Sequence, residues 1–397
     1  MQRSAVREFV KLTTDPSMIS FAGGLPAPEL FPLEAMQEAA GRVFSQIGPR
    51  ALQYGESEGE PALREWLANS FSTPSFQVRR EHVLITHGAQ QALQLLGWVL
   101  LNEGDAVLVE NPTYLALLSA WRPLAVRFVP LPSDQDGLQV ETLEKQIAEL
   151  PASPKVLYVQ PNFQNPQGTT LSAARRAALA AWAEAHDVLL LEDNAYGELR
   201  YEGEALPHLL HVGACSAATP DDRAVVHVGT FSKVIAPGLR VGWVIGPAPV
   251  IDKLTQAKQA ADLHTGTLNQ LLVLDLLQKG FLEQHLPVLR NAYRTRRDTM
   301  LAALARHFTG RMTWTKPAGG LFLMATLPPD CRAKDLLPEA LARQVAFVPG
   351  DEFHVDGTGA NTFRLNFSNA TPEQIEEGIL RLQQSAKGQR AKLKAQS

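Results

Sequence analysis

The chain has 397 residues, of which 45 % are hydrophobic and 20 % charged, with a formal net charge of −4. That is the composition of a globular protein with a sizeable core. The slight acidity gives no electrostatic case for nucleic acid or a membrane surface. Two cysteines, Cys215 and Cys331, are too few for a disulfide framework, which points to a reducing, cytoplasmic compartment; no run nears the roughly 18 apolar residues of a membrane span, and the first residues lack a signal peptide's apolar core.

In chain order, apolar periodicity predicts short helices at 5–12 and 33–44. From residue 83 to 245, short apolar runs at 83–85, 106–109, 126–129, 156–159, 188–191 and 225–228 read as buried strands. Amphipathic stretches at 89–101, 140–150 and 172–186 read as helices between them. This alternation predicts an α/β domain with a mostly parallel sheet and helices on both faces. Beyond residue 285 the pattern changes. A helix at 286–307, strand-like pieces at 312–315, 321–326 and 361–367, and a last helix at 372–386 read as a smaller α+β lobe. The expected division is 1–45 (an N-terminal lid helix and part of the small lobe), 46–285 (the large domain) and 286–397 (the small domain).

Ligands of such a sheet gather at the carboxyl ends of its strands, and Gly88, Asn111, Asn165, Asp193 and Lys233 each lie just past one. The most informative segment is Gly229-Thr230-Phe231-Ser232-Lys233, followed by Gly238-Leu239-Arg240. Hydroxyls at Thr230 and Ser232 with the fork-shaped cation of Arg240 suit a phosphate dianion. An amine among cations stays nucleophilic and can form a Schiff base. Gly88-Ala89-Gln90, a strand end running into a helix start, is an anion site by its free N–H groups, although a plain βα turn looks alike. Asp193 ends an apolar strand and needs a cation or several donors, such as a protonated pyridine nitrogen with Tyr196 on the ring's far side; a helix cap is the alternative. Asn165 before Pro166 is held extended, ready to donate or simply to turn the chain. Tyr114 can stack on a flat ring or pack in the core. Arg364, in an otherwise apolar strand, needs an anion: a substrate carboxylate or an internal salt bridge.

As a set, Gly-Ala-Gln, Asn-Pro-x-Gly, Asp-x-x-Tyr, Ser-Lys with Gly-Leu-Arg, and Phe-Arg-Leu resemble the fold-type-I pyridoxal-phosphate (PLP) aminotransferases of class I/II, over nearly the whole chain. The resemblance implies an α/β fold whose large domain has a mostly parallel, seven-stranded sheet beside a smaller α+β domain, and PLP as cofactor, held covalently by Lys233, which also shuttles protons. Asp193 then pairs with the pyridinium nitrogen, and Asn165 and Tyr196 meet the ring oxygen. Thr230, Ser232, Arg240 and the Gly88, Ala89 and Gln90 turn hold the phosphate. Tyr114 stacks on the ring and Arg364 takes the α-carboxylate. It also implies a homodimer in which Tyr54 reaches the neighbouring subunit's phosphate, amino-acid and 2-oxo-acid substrates, and no metal.

Segments 19–32, which contains Gly24, and 256–265 resemble the 2-aminoadipate (LysN-like) and kynurenine branch. There, Gly24 lies by the substrate and Arg7, on the lid helix, meets a distal carboxylate. Two departures stand out. Ala89 replaces a common hydroxyl, and Gly55 replaces a serine, which is expected to loosen the Tyr54 loop. A β-lyase on the same scaffold remains open. An aminotransferase-like regulator would need a basic helix-turn-helix segment ahead of the short stretch before Phe21.

Overall fold

The computed structural model describes residues 17–213 and 219–396. The helix expected at 5–12, with Arg7, and Cys215 lie outside them.

The central sheet has the strand order β2-β9-β8-β7-β6-β3-β4-β5. The strands are β2 (Val83–Thr86), β3 (Ala106–Asn111), β4 (Arg127–Asp134), β5 (Gly137–Leu138), β6 (Val156–Val159), β7 (Leu189–Asp193), β8 (Val225–Thr230) and β9 (Gly242–Ile245). The run β8-β7-β6-β3-β4 is parallel; β9 pairs antiparallel with both β2 and β8. Seven strands match the expected number. The eighth, β5, is a two-residue hairpin return onto the end of β4, too short to leave an apolar run.

Along β3, Ala106 and Leu108 belong to one apolar layer and Val107 and Val109 to the other. This is the period of two that a strand imposes, and both sets are buried, which explains the unbroken apolar run. One face is covered by helices Ala89–Leu100, Leu115–Trp121 and Ala248–Ala261. The other is covered by Pro61–Phe71, Ala173–His186 and Thr267–Gln278. Ser172 caps the Ala173–His186 helix by accepting from the Arg175 N–H at 3.4 Å.

Two further sheets follow: the four-stranded antiparallel order β10-β11-β14-β13, with β10 at Thr313–Trp314 and β13 at Val348–Pro349, and the two-stranded parallel β1-β12. In the second, Ile19 of β1 (Ile19–Ser20) pairs with Val345 of β12 (Val345–Ala346). The β11 (Phe322–Thr326) and β14 (Thr362–Asn366) pair sets Arg364 opposite Met324. Phe21 N–H donates to Ala346 O and its carbonyl accepts from Asn366 N–H, both at 2.8 Å, which carries Ala22 to Gly24 toward the large sheet.

The last helix runs from Pro372 to Gln396, past the expected end at 386, and three other boundaries differ from expectation for local reasons. Helix Leu33–Ala51 continues past residue 44, losing helical geometry at Ile47, two residues before Pro49. Helix Phe281–Phe308 starts before Pro287, which sits inside it although proline usually marks a first turn. The 140–150 stretch divides into a 3-10 turn, Val140–Thr142, and a short helix, Leu143–Ala148. Among the described residues no helix is long and apolar enough to cross a membrane.

A buried arginine fixes the loop that follows β6. Arg176 donates to Leu171 O (3.0 Å), Pro207 O (2.7 Å), Pro161 O (2.8 Å) and Asn162 Oδ1 (2.7 Å). Arg176→Ala strands these buried acceptors and is expected to destabilise the protein by about 2–4 kcal/mol. A thermal midpoint lowered by several degrees is the expected reading; an unchanged midpoint contradicts the clamp.

Candidate active site

The carboxyl ends of β7 and β8 and the start of helix Ala89–Leu100 surround one cleft of about 130 Å³. It is lined by Ala89, Gln90, Tyr114, Asp193, Tyr196, Thr230, Ser232, Lys233 and Arg240 among others. Nine residues assigned from sequence thus meet in one place.

Lys233 follows β8 on a tight 3-10 turn, Phe231–Lys233, whose start is fixed by Thr230 accepting from the Ser232 N–H at 3.2 Å. Its Nζ donates to the Gly24 carbonyl at 3.0 Å and stands 5.9 Å from the centre of the Tyr196 ring. Burial, with Arg364 and Arg240 nearby, pushes the amine down to about 8 against the pull of Asp193.

Asp193 is buried at the end of β7. Its Oδ2 accepts from Tyr158 Oη at 2.7 Å and Gln160 Nε2 at 3.1 Å, while Oδ1 is buried with no hydrogen-bond partner. Burial pushes the carboxyl up to about 6, and the Tyr158 and Gln160 bonds hold it back. It is therefore ionised at neutral pH with one oxygen unanswered. Tyr158 and Gln160 escaped the sequence reading. The available signal was a phenol in an otherwise aliphatic strand and an amide just past it. Behind Gln160, Glu110 Oε2 accepts its N–H at 2.8 Å; burial raises the Glu110 carboxyl to about 8.

The anion end is built from backbone. Gly88 has φ of 73° at the N-cap of its helix, and a Cβ there would come 2.5 Å from Arg240 Nη2. The Arg240 guanidinium donates only to carbonyls, Pro237 O and His87 O, both at 3.2 Å, and pairs with no carboxylate among the described residues. Thr230 Oγ1 and Ser232 Oγ are hydrogen-bonded at 2.9 Å. Backbone N–H groups, two hydroxyls and an unneutralised guanidinium make a cup for a dianionic phosphate.

Opposite stands Arg364, 3 % exposed. It donates from Nη1 to Asn165 Oδ1 at 2.7 Å and from Nη2 to Ala22 O at 2.6 Å, between the rings of Phe322 (4.3 Å) and Phe353 (5.0 Å). Its Nε is buried without a partner. No carboxylate meets it among the described residues, so the internal salt bridge is not the answer. Asn165 also bonds the Tyr196 side chain, whose phenol burial drives far above its ordinary value. Tyr114 is half-buried, its phenol pushed up to about 12 by burial and Asp193.

Tyr54 stands apart. It is 77 % exposed, edge-on to His264 at 5.7 Å, and does not line the cleft. Its loop is tied by Thr267 Oγ1, which donates to Gln53 O at 3.1 Å, and a Cβ at Gly55 would lie 2.8 Å from that hydroxyl. At Gly55 the missing Cβ leaves room for this tether.

With this geometry in hand, comparison with known proteins is decisive. Residues 18–382 match the family model of aminotransferase class I and II. The chain belongs to the class I and II aminotransferases. This aminotransferase is 43 % identical over 389 residues to the 2-aminoadipate transaminase of Thermus thermophilus, covering 98 % of this chain and 95 % of that protein. It is 40 % identical over 394 residues to aromatic-amino-acid aminotransferase 1 of Thermococcus litoralis, covering 98 % and 92 %. Among solved structures, Thermus thermophilus LysN, an alpha-aminoadipate aminotransferase complexed with N-(5'-phosphopyridoxyl)-L-leucine, superposes with a TM-score of 0.91 at 40 % identity over 98 % of this chain and 96 % of that one. The fold is that of the fold-type-I PLP-dependent enzymes, and the aminotransferase is PLP-dependent with its class.

The depressed Lys233 amine has a kinetic consequence. Only the neutral amine attacks an aldehyde, and with a folded value near 8 rather than 10.5 the neutral form gains as pH rises through about 8. The rate at which apoenzyme captures pyridoxal phosphate should climb with an inflection near pH 8 and then level. A rise that continues past pH 10 contradicts the burial argument.

Proposed function

We propose that this aminotransferase moves the amino group of a medium-length acidic L-amino acid, 2-aminoadipate or a close analogue, to 2-oxoglutarate by ping-pong chemistry. The observation that carries the reading is the pairing of a lysine amine lowered to about 8 with a buried carboxylate that has one unanswered oxygen, in a single cleft. The aminoadipate in the names of the Thermus thermophilus transaminase and of LysN favours the acidic donor.

The residues present fit PLP. The Oδ1 of Asp193 would accept from the ring nitrogen, with Oδ2 already held by Tyr158 and Gln160. Asn165 and Tyr196 would meet the ring oxygen and Tyr114 its face. The N–H groups of Ala89 and Gln90, with Thr230, Ser232 and Arg240, would hold the phosphate, and Gly88, whose own N–H donates to Thr86 O at 2.8 Å, would let the backbone come close. Bound PLP supplies the electron sink that lets a substrate Cα give up its proton. Lys233 Nζ, once displaced by the incoming amine, takes that proton as a base and returns it as an acid; a value near 8 suits both duties at neutral pH. Arg364 offers its unpartnered Nε–H to the α-carboxylate and so fixes the Cα–H toward Lys233. The Gly24 carbonyl bonds Nζ until substrate enters.

The finer parts of the reading follow the same pattern. Arg7, outside the described residues, takes the distal carboxylate. The protein works as a cytoplasmic homodimer in which Tyr54 completes the neighbouring subunit's phosphate site, a role suited to its exposure. The division at 45/46 and 285/286 separates the cofactor-holding body from the lobe carrying Arg364.

An amino-donor panel against 2-oxoglutarate, run on the wild type and Asp193→Asn, tests this. 2-Aminoadipate and glutamate should lead in kcat/KM. Asp193→Asn should keep its fold and most of its cofactor yet lose roughly two or more orders of magnitude in turnover, in line with about 3–5 kcal/mol for breaking a buried charge pair. Near-wild-type turnover in the variant would make Asp193 a mere helix cap, and apolar donors in the lead would overturn the substrate.

A further inference from the structure

Glu192 and Asp193 are neighbours on β7 and therefore point to opposite faces of the sheet. Asp193 faces the cofactor cleft. Glu192, fully buried, faces away toward His227 of β8, also buried, and His208, which precedes the turn Leu209–His211. Glu192 Oε2 lies 3.1 Å from His227 Nδ1, and Oε1 lies 3.6 Å from His208 Nδ1. One donor atom from each of the three residues falls within 4.8 Å of the others. Nothing in the transamination reading uses this cluster.

Its hydrogen-bond polarity can be followed from a fixed point. Arg176 Nη2 can only donate, so Asn162 Oδ1 is the acceptor at 2.7 Å. Asn162 Nδ2 therefore donates to Asn194 Oδ1 at 2.8 Å, and Asn194 Nδ2 donates to His208 Nδ1 at 3.2 Å. His208 Nδ1 then carries no proton, since a proton there would oppose the Asn194 N–H. Two acceptors, His208 Nδ1 and Glu192 Oε1, face each other with no hydrogen between them, and Oε1 is buried without any hydrogen-bond partner. Burying an unanswered carboxylate oxygen is costly, and a cation between these atoms removes the cost.

We propose that Glu192, His208 and His227 form a binding site for one divalent transition-metal ion of the zinc class. Two imidazoles and one carboxylate are a ligand set that zinc accepts, with a fourth position left to water. Room for that water exists: His208, His227 and Asn194 line one side of a cavity of about 300 Å³, otherwise walled mainly by apolar groups such as Phe71, Phe231 and Trp243. On loading, His208 Nδ1 exchanges the Asn194 amide for the metal, and His227 gives up the Nδ1 proton it donates to Glu192 Oε2, taking the Nε2–H tautomer so that Nδ1 is free to ligate. The ion joins β7, β8 and the 208–211 turn on the reverse side of the sheet from the cofactor cleft. The sequence reading assigned no metal because the three ligands follow no motif spacing; strand pairing brings Glu192 beside His227.

The test uses tag-free holoenzyme, stripped with chelator and dialysed against Zn²⁺, with bound metal measured by elemental analysis and Co²⁺ as a spectroscopic probe. One equivalent per chain is expected, with tetrahedral Co²⁺ bands. Glu192→Gln, which keeps the side chain's shape, and His208→Asn, at a partly exposed position, should each weaken binding by about 100-fold or more while circular dichroism stays native. His354→Asn, at a distant partly buried histidine, should bind as the wild type does. Less than about a tenth of an equivalent at micromolar Zn²⁺ in the wild type overturns the site. So does undiminished binding in both folded ligand variants.

Discussion

The structure turns on buried and half-buried charge without a counter-charge of its own. Lys233, Arg364, Arg240 and Asp193 gather at the carboxyl edge of one parallel sheet, and none forms a salt bridge among the described residues. Taking an ion out of water costs several kcal/mol even after relaxation. The chain limits that cost with neutral donors and acceptors: Tyr158 and Gln160 on Asp193, Asn165 and the Ala22 carbonyl on Arg364, backbone carbonyls on Arg240. What remains unanswered, Asp193 Oδ1 and Arg364 Nε, marks where a ligand's opposite charges belong. The same desolvation lowers the Lys233 amine to about 8, so one constraint supports both the proposed cofactor cradle and the proposed reactive amine.

The scaffold makes this arrangement rigid. β7 and β8 are held in register, with Asp193 opposite Val228, and each strand is buried on both faces. A tight turn after β8 then presents Lys233 with little freedom, and a glycine at φ of 73° lets Arg240 lie against the helix start. Functional groups from segments 200 residues apart in sequence, such as Asn165 and Arg364, meet at 2.7 Å because β14 and the loop after β6 converge there.

Much of this was legible in the sequence because the signals are local. Buried parallel strands read as unbroken apolar runs, and residues placed just past them fall at the ligand edge. The motif around Lys233 packs hydroxyls, amine and guanidinium within ten residues. What stayed hidden depends on contacts across the fold. Tyr158 and Gln160 look like strand filler until Asp193 lies beside them. The tether from Thr267 to the Tyr54 loop joins residues more than 200 positions apart. The Glu192, His208 and His227 cluster exists only because β7 pairs with β8. Helices such as Pro61–Phe71 and Thr267–Gln278 went unassigned; the second is buried along most of its length, so it lacks the polar face that reveals a helix.

The proposed transamination depends on Lys233 being the amine that holds the cofactor. Borohydride reduction of the holoenzyme followed by peptide mapping measures this directly. The account requires the reduced pyridoxyl label on Lys233 and on no other lysine, with loss of activity. A label on Lys258 or another lysine, or a protein that takes up no label while fully active, would contradict it.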